Sequence, residues 1–201
     1  MPGILIREVQ YRGAVGDLLV SDHGVVRLGE YDRVIDGRGL IAVPAFADHH
    51  VHFREPGQTE KEDIQTGARA AAAGGYAFIR TEPNTRPVID SLDGVLRNFA
   101  RIWELDLPIT VLPKCALTLE QRGEALVDIQ EIRARAPWIR FSSDGEPVAD
   151  RELLLRAIRL AGGEVFIDLH CEETPRSAAR VTQALGFGAP MAREAELIRL
   201  A

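Results

Sequence analysis

From Leu40 onward the sequence alternates short apolar runs with amphipathic stretches, and this alternation limits the chain to a parallel α/β architecture built from βα units. The runs are Ile41 to Ala47, Tyr76 to Thr81, Ile109 to Leu112, Ile139 to Ser142 and Val165 to His170. Helices are expected between them. The first is expected over about 59–73, opened by Thr59 with acids in its first turn and ended by Gly74-Gly75. Ser91 is expected to cap a helix through Trp103, and further helices are expected over 120–135, 151–161 and about 192–200. Before Leu40 the texture differs. Ile4 to Val9, Asp17 to Ser21, Val25 to Leu28 and Arg33 to Ile35 read as short strands separated by Gly13, His23-Gly24 and Asp36-Gly37, a small β subdomain over 1–40 followed by the barrel-like part over 41–201.

The chemistry concentrates at strand ends. Asp48-His49-His50-Val51-His52-Phe53-Arg54-Glu55-Pro56-Gly57 follows the first apolar run. Residues two apart on a strand share a face, so His50 and His52 turn both imidazoles to one side while Val51 and Phe53 face the other. Pro56-Gly57 ends the strand, which leaves the histidines at its C-terminal end, where a parallel barrel keeps its site. Arg54 lies two residues further along the same face, and its guanidinium suits an anionic substrate because it grips a carboxylate with two parallel hydrogen bonds. Asn84 follows the second strand, Asp144 the fourth, and His170 closes the fifth. Taken singly, an Asp before Gly, an Asn after Pro and a His at a strand end are ordinary turn or surface residues. Converging on one rim, three histidines and one carboxylate make an N/O ligand set for zinc or a similar divalent metal, with Asp144 able to bridge two ions.

Composition narrows the classes. With 201 residues and 46% hydrophobic content the chain is long enough for one sizeable core. A net charge of −6 argues against a nucleic-acid footprint. No apolar stretch approaches the roughly 20 residues a membrane helix needs, and no signal pattern follows Met1. The two cysteines, Cys115 and Cys171, are too few for a disulfide scaffold and fit a reducing compartment, so a cytoplasmic location is expected.

The stretch from Pro44 to Gly57, then Lys61-Glu62-Asp63, Gly67, Ala70 to Gly75, Pro83-Asn84-Thr85, Phe141-Ser142-Ser143-Asp144-Gly145 and His170-Cys171-Glu172, strongly resembles the bacterial dihydroorotases of the amidohydrolase superfamily. Order and spacing match over roughly residues 40 to 200. Allantoinases and hydantoinases share the His-x-His and the barrel, but Phe53 to Gly57 together with Pro83-Asn84-Thr85 leans towards dihydroorotase. The resemblance implies a TIM-barrel-type metal-dependent hydrolase with about five of the eight βα units. Its implied activity is the reversible interconversion of N-carbamoyl-aspartate and dihydroorotate in pyrimidine biosynthesis. It further implies that His50 and His52 bind one zinc, that Asp144 bridges two, that His170 binds the second, and that Arg54 and Asn84 hold the substrate carboxylate. Some relatives bridge with a carbamylated lysine; Lys114 belongs to the third strand, so Asp144 is the expected bridge.

The sequence also departs from the family pattern. Ser143 replaces the first acid of an acidic pair, His49 replaces the usual Leu with its side chain expected to point away from the metal face, and Thr81-Glu82 stands where relatives carry a small or apolar residue and Met. Glu82 is expected either to face the pocket or to pair with Arg80 or Arg86. The family's sixth-strand histidine ligand and its catalytic Asp from the eighth strand lie beyond this chain, so no residue here is assigned as the general base. Two readings follow. One is an enzyme active when a C-terminal portion or a second chain completes the barrel. The other is a non-catalytic dihydroorotase-like scaffold that binds a partner such as aspartate carbamoyltransferase.

Overall fold

A computed structural model describes residues 2–27, 29–148, 150–162 and 166–170. The chain divides into two compact units, Met1–Ala45 and Phe46–Ala201.

In the first unit, β1 (Gly3–Tyr11), β2 (Ala14–Ser21), β3 (Gly24–Val26) and β4 (Tyr31–Asp36) form one sheet in the order β3-β2-β1-β4. The β1–β2 hairpin closes through Arg12 and Gly13, at φ 50° and 85°. Two consecutive left-handed residues match the twist of the strands they join, so a two-residue loop suffices. β4 returns to lie parallel to β1 on its other side. His23 sits in the β2–β3 turn, its backbone N–H donating to Ser21 Oγ at 3.2 Å.

The second unit begins with β5 (Phe46–Val51) and continues through α1 (Ile64–Ala73), β6 (Tyr76–Thr81), α2 (Leu92–Glu104), β7 (Thr110–Pro113), β8 (Cys115–Ala116), a 3-10 turn at Leu119–Gln121, α3 (Ile129–Arg135), β9 (Phe141–Ser142), α4 (Arg151–Ala161) and β10 (Ile167–Asp168). Every pairing is parallel: β5 with β6, β6 with β7, β8 with β9, and β9 with β10. Lys114 alone separates β7 from β8. Its N–H donates back to Thr81 O at 3.0 Å, while the next N–H, from Cys115, donates forward to Arg140 O at 2.9 Å. The chain thus passes from pairing with β6 to pairing with β9 within one residue, and strands adjacent in sequence are adjacent in space.

Two apolar clusters hold this arrangement. Phe53, Ile64, Ala68, Ile79, Ile102 and Val111 pack where α1 and α2 cover β5 to β7. Around Phe141, Ile89, Val95, Cys115, Leu117, Ile129, Ile132 and Leu154 form the second beneath α3 and α4. Cys115 is fully buried there, and that burial raises its thiol well above the ordinary cysteine range.

Several boundaries differ from the sequence expectation. α1 starts at Ile64, not near Thr59, because Asp63 caps it: its carboxylate accepts from Thr66 N at 2.7 Å in a reciprocal capping box. The helix expected over 120–135 is confined to Ile129–Arg135. Glu120, Gln121 and Gly123 all have left-handed φ, Thr118 bridges to Leu126, and Asp128 supplies the cap. No continuous helix can run through three such residues. The third strand extends to Ala116, and the fourth and fifth shorten to two residues each. The helix expected over about 192–200, and Cys171, lie outside the described residues. No helix among the described residues is long and apolar enough to cross a membrane.

Gly67 lets α1 approach β5 closely: a Cβ there would stand 2.1 Å from the Phe53 ring. A glycine inside a helix ordinarily costs about 1 kcal/mol relative to alanine. The clash reverses that preference. Gly67→Ala is expected to destabilise the chain by about 1–3 kcal/mol, measured as a fall in the midpoint of urea unfolding.

Candidate metal centre

β5 does not run regularly to its end. Asp48 pairs with Ile79 and Val51 with Thr81, so three steps on β5 oppose two on β6, a bulge at His49-His50. Asp48 Oδ1 accepts the His50 N–H at 2.9 Å and holds the bend. A bulge re-aims the side chains that carry it. His49 turns out towards the Phe78 ring, 5.4 Å between centroids, with Arg140 Nη1 3.5 Å from its Nδ1. His50 turns in, 5.1 Å from His52 between ring centroids, and Val51 and Phe53 pack into the core on the opposite side.

The two imidazoles meet a carboxylate delivered by the loop after β9. His50 Nε2 lies 3.5 Å from Asp144 Oδ1, and His52 Nε2 3.7 Å from Asp144 Oδ2. One ligand atom from each of the three falls within 4.8 Å of the others. His170, just past β10, places Nδ1 3.4 Å from Asp144 Oδ1. It joins the cluster through the carboxylate, outside the three-residue group.

The other ring nitrogen of each strand-one histidine has its own partner. His52 Nδ1 is 3.1 Å from Asn84 Oδ1, and His50 Nδ1 is 3.2 Å from Glu82 Oε1. Asn84 Oδ1 also accepts from Arg54 Nη1 at 3.2 Å, while Asn84 Nδ2 donates to Asp144 Oδ2 at 2.7 Å. These partners offer acceptor oxygens to Nδ1, and the tautomer protonated there places the lone pair at Nε2, facing Asp144. In that tautomer two imidazole lone pairs and a carboxylate face one another. Such a set fits a cation and, with N and O donors, a divalent metal of the zinc kind.

Asp144 is 7% exposed and fixed from behind. Its N–H donates to Ser142 Oγ at 3.1 Å, and Gln121 Nε2 donates to its carbonyl at 2.8 Å. Ser143, at the position of the missing first acid, accepts the His170 N–H at 2.9 Å and so ties β9 to β10. Arg54 Nη1 also reaches Asn84 O at 3.1 Å, which brings the guanidinium beside the histidines.

All six residues expected from the sequence, His50, His52, Arg54, Asn84, Asp144 and His170, thus come to one rim. For Glu82 the expected arginine pairing is corrected. It does not pair with Arg80 or Arg86; it faces the site, with Oε1 3.2 Å from His50 Nδ1. Fully buried, it forms an ion pair with Lys114, and its Oε2 accepts from Ser142 Oγ at 2.5 Å. Arg80 turns elsewhere, donating to Trp138 O at 3.2 Å with its guanidinium 5.5 Å from the Phe78 ring centroid. Burial and the neighbouring Arg140 lower its pKa. Lys114 is fully buried too, its Nζ 2.6 Å from Asp168 Oδ2, off the line of an aligned hydrogen bond. Lys114, Asp168, Ser142 and Gln121 are functional neighbours that sequence reasoning passed over. One signal was present: Lys114 lies between apolar residues, and a lysine that must be buried is paired.

The model of the family described as "Dihydro-orotase-like" matches residues 39–182. The chain belongs to this family. It is 39% identical to a dihydroorotase of Sulfurihydrogenibium sp. (strain YO3AOP1) over 170 residues, covering 81% of this chain and 40% of the relative. A dihydroorotase of Aquifex aeolicus is 37% identical over 83% of this chain and 41% of its own length, and one of Bacillus subtilis 36% over 78% and 38%. The chain spans about two fifths of the length of the curated relatives it matches. Its fold is similar to that of "L-Hydantoinase (Dihydropyrimidinase) from Arthrobacter aurescens", with a TM-score of 0.71 at 19% identity over 100% of this chain and 49% of that one. The shared fold is that of the amidohydrolases.

Removing one member of a buried ion pair leaves the other charge without compensation. Lys114→Met is therefore expected to cost about 3–5 kcal/mol in urea unfolding, whereas Glu82→Met/Lys114→Met should be close to neutral.

Proposed function

We propose that this chain is the N-terminal portion of a dihydroorotase, a zinc-dependent cyclic amide hydrolase that interconverts N-carbamoyl-aspartate and dihydroorotate in pyrimidine biosynthesis. The observation that carries the reading is the convergence of two imidazole Nε2 atoms on the Asp144 carboxylate, beside the Arg54–Asn84 pair. The family match supports the same chemistry.

His50, His52 and Asp144 would hold one ion, and Asp144 with His170 a second. A divalent cation in such a set polarises an amide carbonyl and lowers the pKa of water, which is the chemistry that ring opening and closure require. The chain's own residues do the rest. Arg54 presents a planar donor fork to a substrate carboxylate, and its contacts to Asn84 O and Oδ1 set the angle of that fork. Asn84 couples the two halves of the site: the side chain that orients Arg54 also fixes His52 and restrains Asp144. A substrate held through its carboxylate would be placed relative to the ligand set by one amide side chain.

The outer edges of β5 and β10 have no strand partner among the described residues. Exposed parallel edges are normally paired or covered. We read the five parallel strands as the first five of an eight-stranded TIM-type barrel, completed by a C-terminal portion or a second chain that supplies a further ligand and the general base. The Met1–Ala45 unit is the small β subdomain that accompanies it.

Elemental analysis after zinc reconstitution tests the ligand set. Near-stoichiometric zinc is expected in the chain, and its loss is expected in both His50→Ala and His170→Ala. Zinc retained in both variants would show that these side chains are not its ligands. Arg54→Lys removes the fork but keeps the charge. It is expected to weaken binding of N-carbamoyl-aspartate to the zinc-loaded chain about tenfold by calorimetry, with zinc content unchanged.

A further inference from the structure

Glu82, Lys114 and Asp168 form a charged array in the wall of the site, at the ends of the second, third and fifth parallel strands. Glu82 and Lys114 are wholly inaccessible to solvent, and the Asp168 side chain is about one third exposed. Charges are not buried to this depth unless something holds them there, and a buried ion pair is seldom more stable than apolar side chains of the same size. The array is therefore better explained by what it touches than by what it adds to stability.

It touches His50. Glu82 Oε1 is shared between Lys114 Nζ and His50 Nδ1, the latter at 3.2 Å. Its second oxygen, Oε2, accepts from Ser142 Oγ, and the same hydroxyl accepts the Asp144 N–H at 3.1 Å. Glu82 thus spans the two parts of the ligand set, with His50 on one oxygen and, through Ser142, the Asp144 backbone on the other. Lys114 is fixed in turn by Asp168. Asn84 engages His52 Nδ1 in the same way. Each of the two strand-one imidazoles therefore has a dedicated acceptor at Nδ1. For His52 the acceptor is neutral and within hydrogen-bond reach of Arg54. For His50 it is a carboxylate whose own position is set by a buried lysine.

We propose that Glu82 is a positioning residue for His50: held by Lys114 and Ser142, it accepts a hydrogen bond from Nδ1–H and so presents the Nε2 lone pair to the cation position beside Asp144. The proposal rests on the metal-site reading above for its functional consequence, but its structural content, the tautomer and orientation of His50, exists in the metal-free chain. Its chemical effect is on the ligand. A carboxylate accepting from the far nitrogen of a metal-ligating imidazole fixes the ring and raises its basicity, and loss of such a partner typically costs 10–100-fold in metal affinity.

Two double variants separate positioning from mere structural support. Glu82→Met/Lys114→Met removes the ion pair and the acceptor together, leaving an apolar wall. Glu82→Gln/Lys114→Met removes both charges but returns a side-chain oxygen within reach of His50. Circular dichroism and urea unfolding check that each is folded. In the metal-free full chain at mildly alkaline pH, 15N NMR of the imidazole nitrogens is expected to show His50 protonated at Nδ1 in the native chain and in the Gln variant, with a shift towards Nε2 protonation in the Met variant. Zinc affinity by competition with a chromogenic chelator is expected to fall 10–100-fold in the Met variant and to recover to within a few-fold of native in the Gln variant. With Co(II) as the probe, the visible ligand-field bands are expected to change in the Met variant and return in the Gln variant. An unchanged His50 tautomer in the Met variant would overturn the proposal, as would equal zinc affinities in the two double variants. Native His50 protonated at Nδ1, in a native chain that binds neither zinc nor Co(II), would uphold the positioning and reject the metal-site reading.

Discussion

The site depends on the Asp144 carboxylate being held almost out of solvent at the meeting point of four strand ends. His50 and His52 face it from β5, His170 from β10, and Asn84 donates to it from the loop after β6. A carboxylate 7% exposed loses most of its hydration and must recover it from fixed partners. Asn84 Nδ2 supplies part of this by donating to Oδ2 at 2.7 Å, while the Ser142 and Gln121 side chains fix the Asp144 main chain. What remains unsatisfied is the space between the carboxylate and the two imidazole lone pairs, and that space defines the chemistry. An N/O set of this kind fits a divalent cation.

The parallel strand succession makes such convergence geometrically inevitable. When every strand runs the same way, all the C-terminal ends and the loops after them share one rim, so residues far apart in sequence need only lie at corresponding strand ends to meet. His50 and His170 are 120 positions apart and still reach the same carboxylate. The hand-over at Lys114, from pairing with β6 to pairing with β9, keeps this succession unbroken. It also places a lysine side chain in the wall of the site. There its charge is matched by Glu82 and Asp168.

The six candidate residues were legible because each is polar, sits next to a turn signal and ends an apolar run, and because the phrase from His50 to Gly57 resembles one family closely. Other features were hidden for identifiable reasons. The bulge at His49-His50 has no signature in residue type, since it arises from a mismatch of register between β5 and β6. The stretch 120–128 carries a helical apolar period, but left-handed φ at Glu120, Gln121 and Gly123 breaks it. Glu82 was expected either to face the pocket or to pair with Arg80 or Arg86, and its partner, a lysine 32 residues away, has no local signal. Lys114 was assigned to the third strand correctly, yet its partners could not be read from that assignment.

By itself the sequence determined the strand-and-helix alternation, the separate β-rich start, the residues that gather at one rim and the family. These follow from local periodicity and from short motifs whose residues are neighbours along the chain. Tertiary structure decided which nitrogen of each histidine faces the carboxylate, which acid is solvated and which is buried, and that Glu82, Lys114, Ser142 and Asp168 act as one array. Those outcomes depend on distances between strands, which no local pattern encodes, and on burial, which turns a surface charge into one that must be paired.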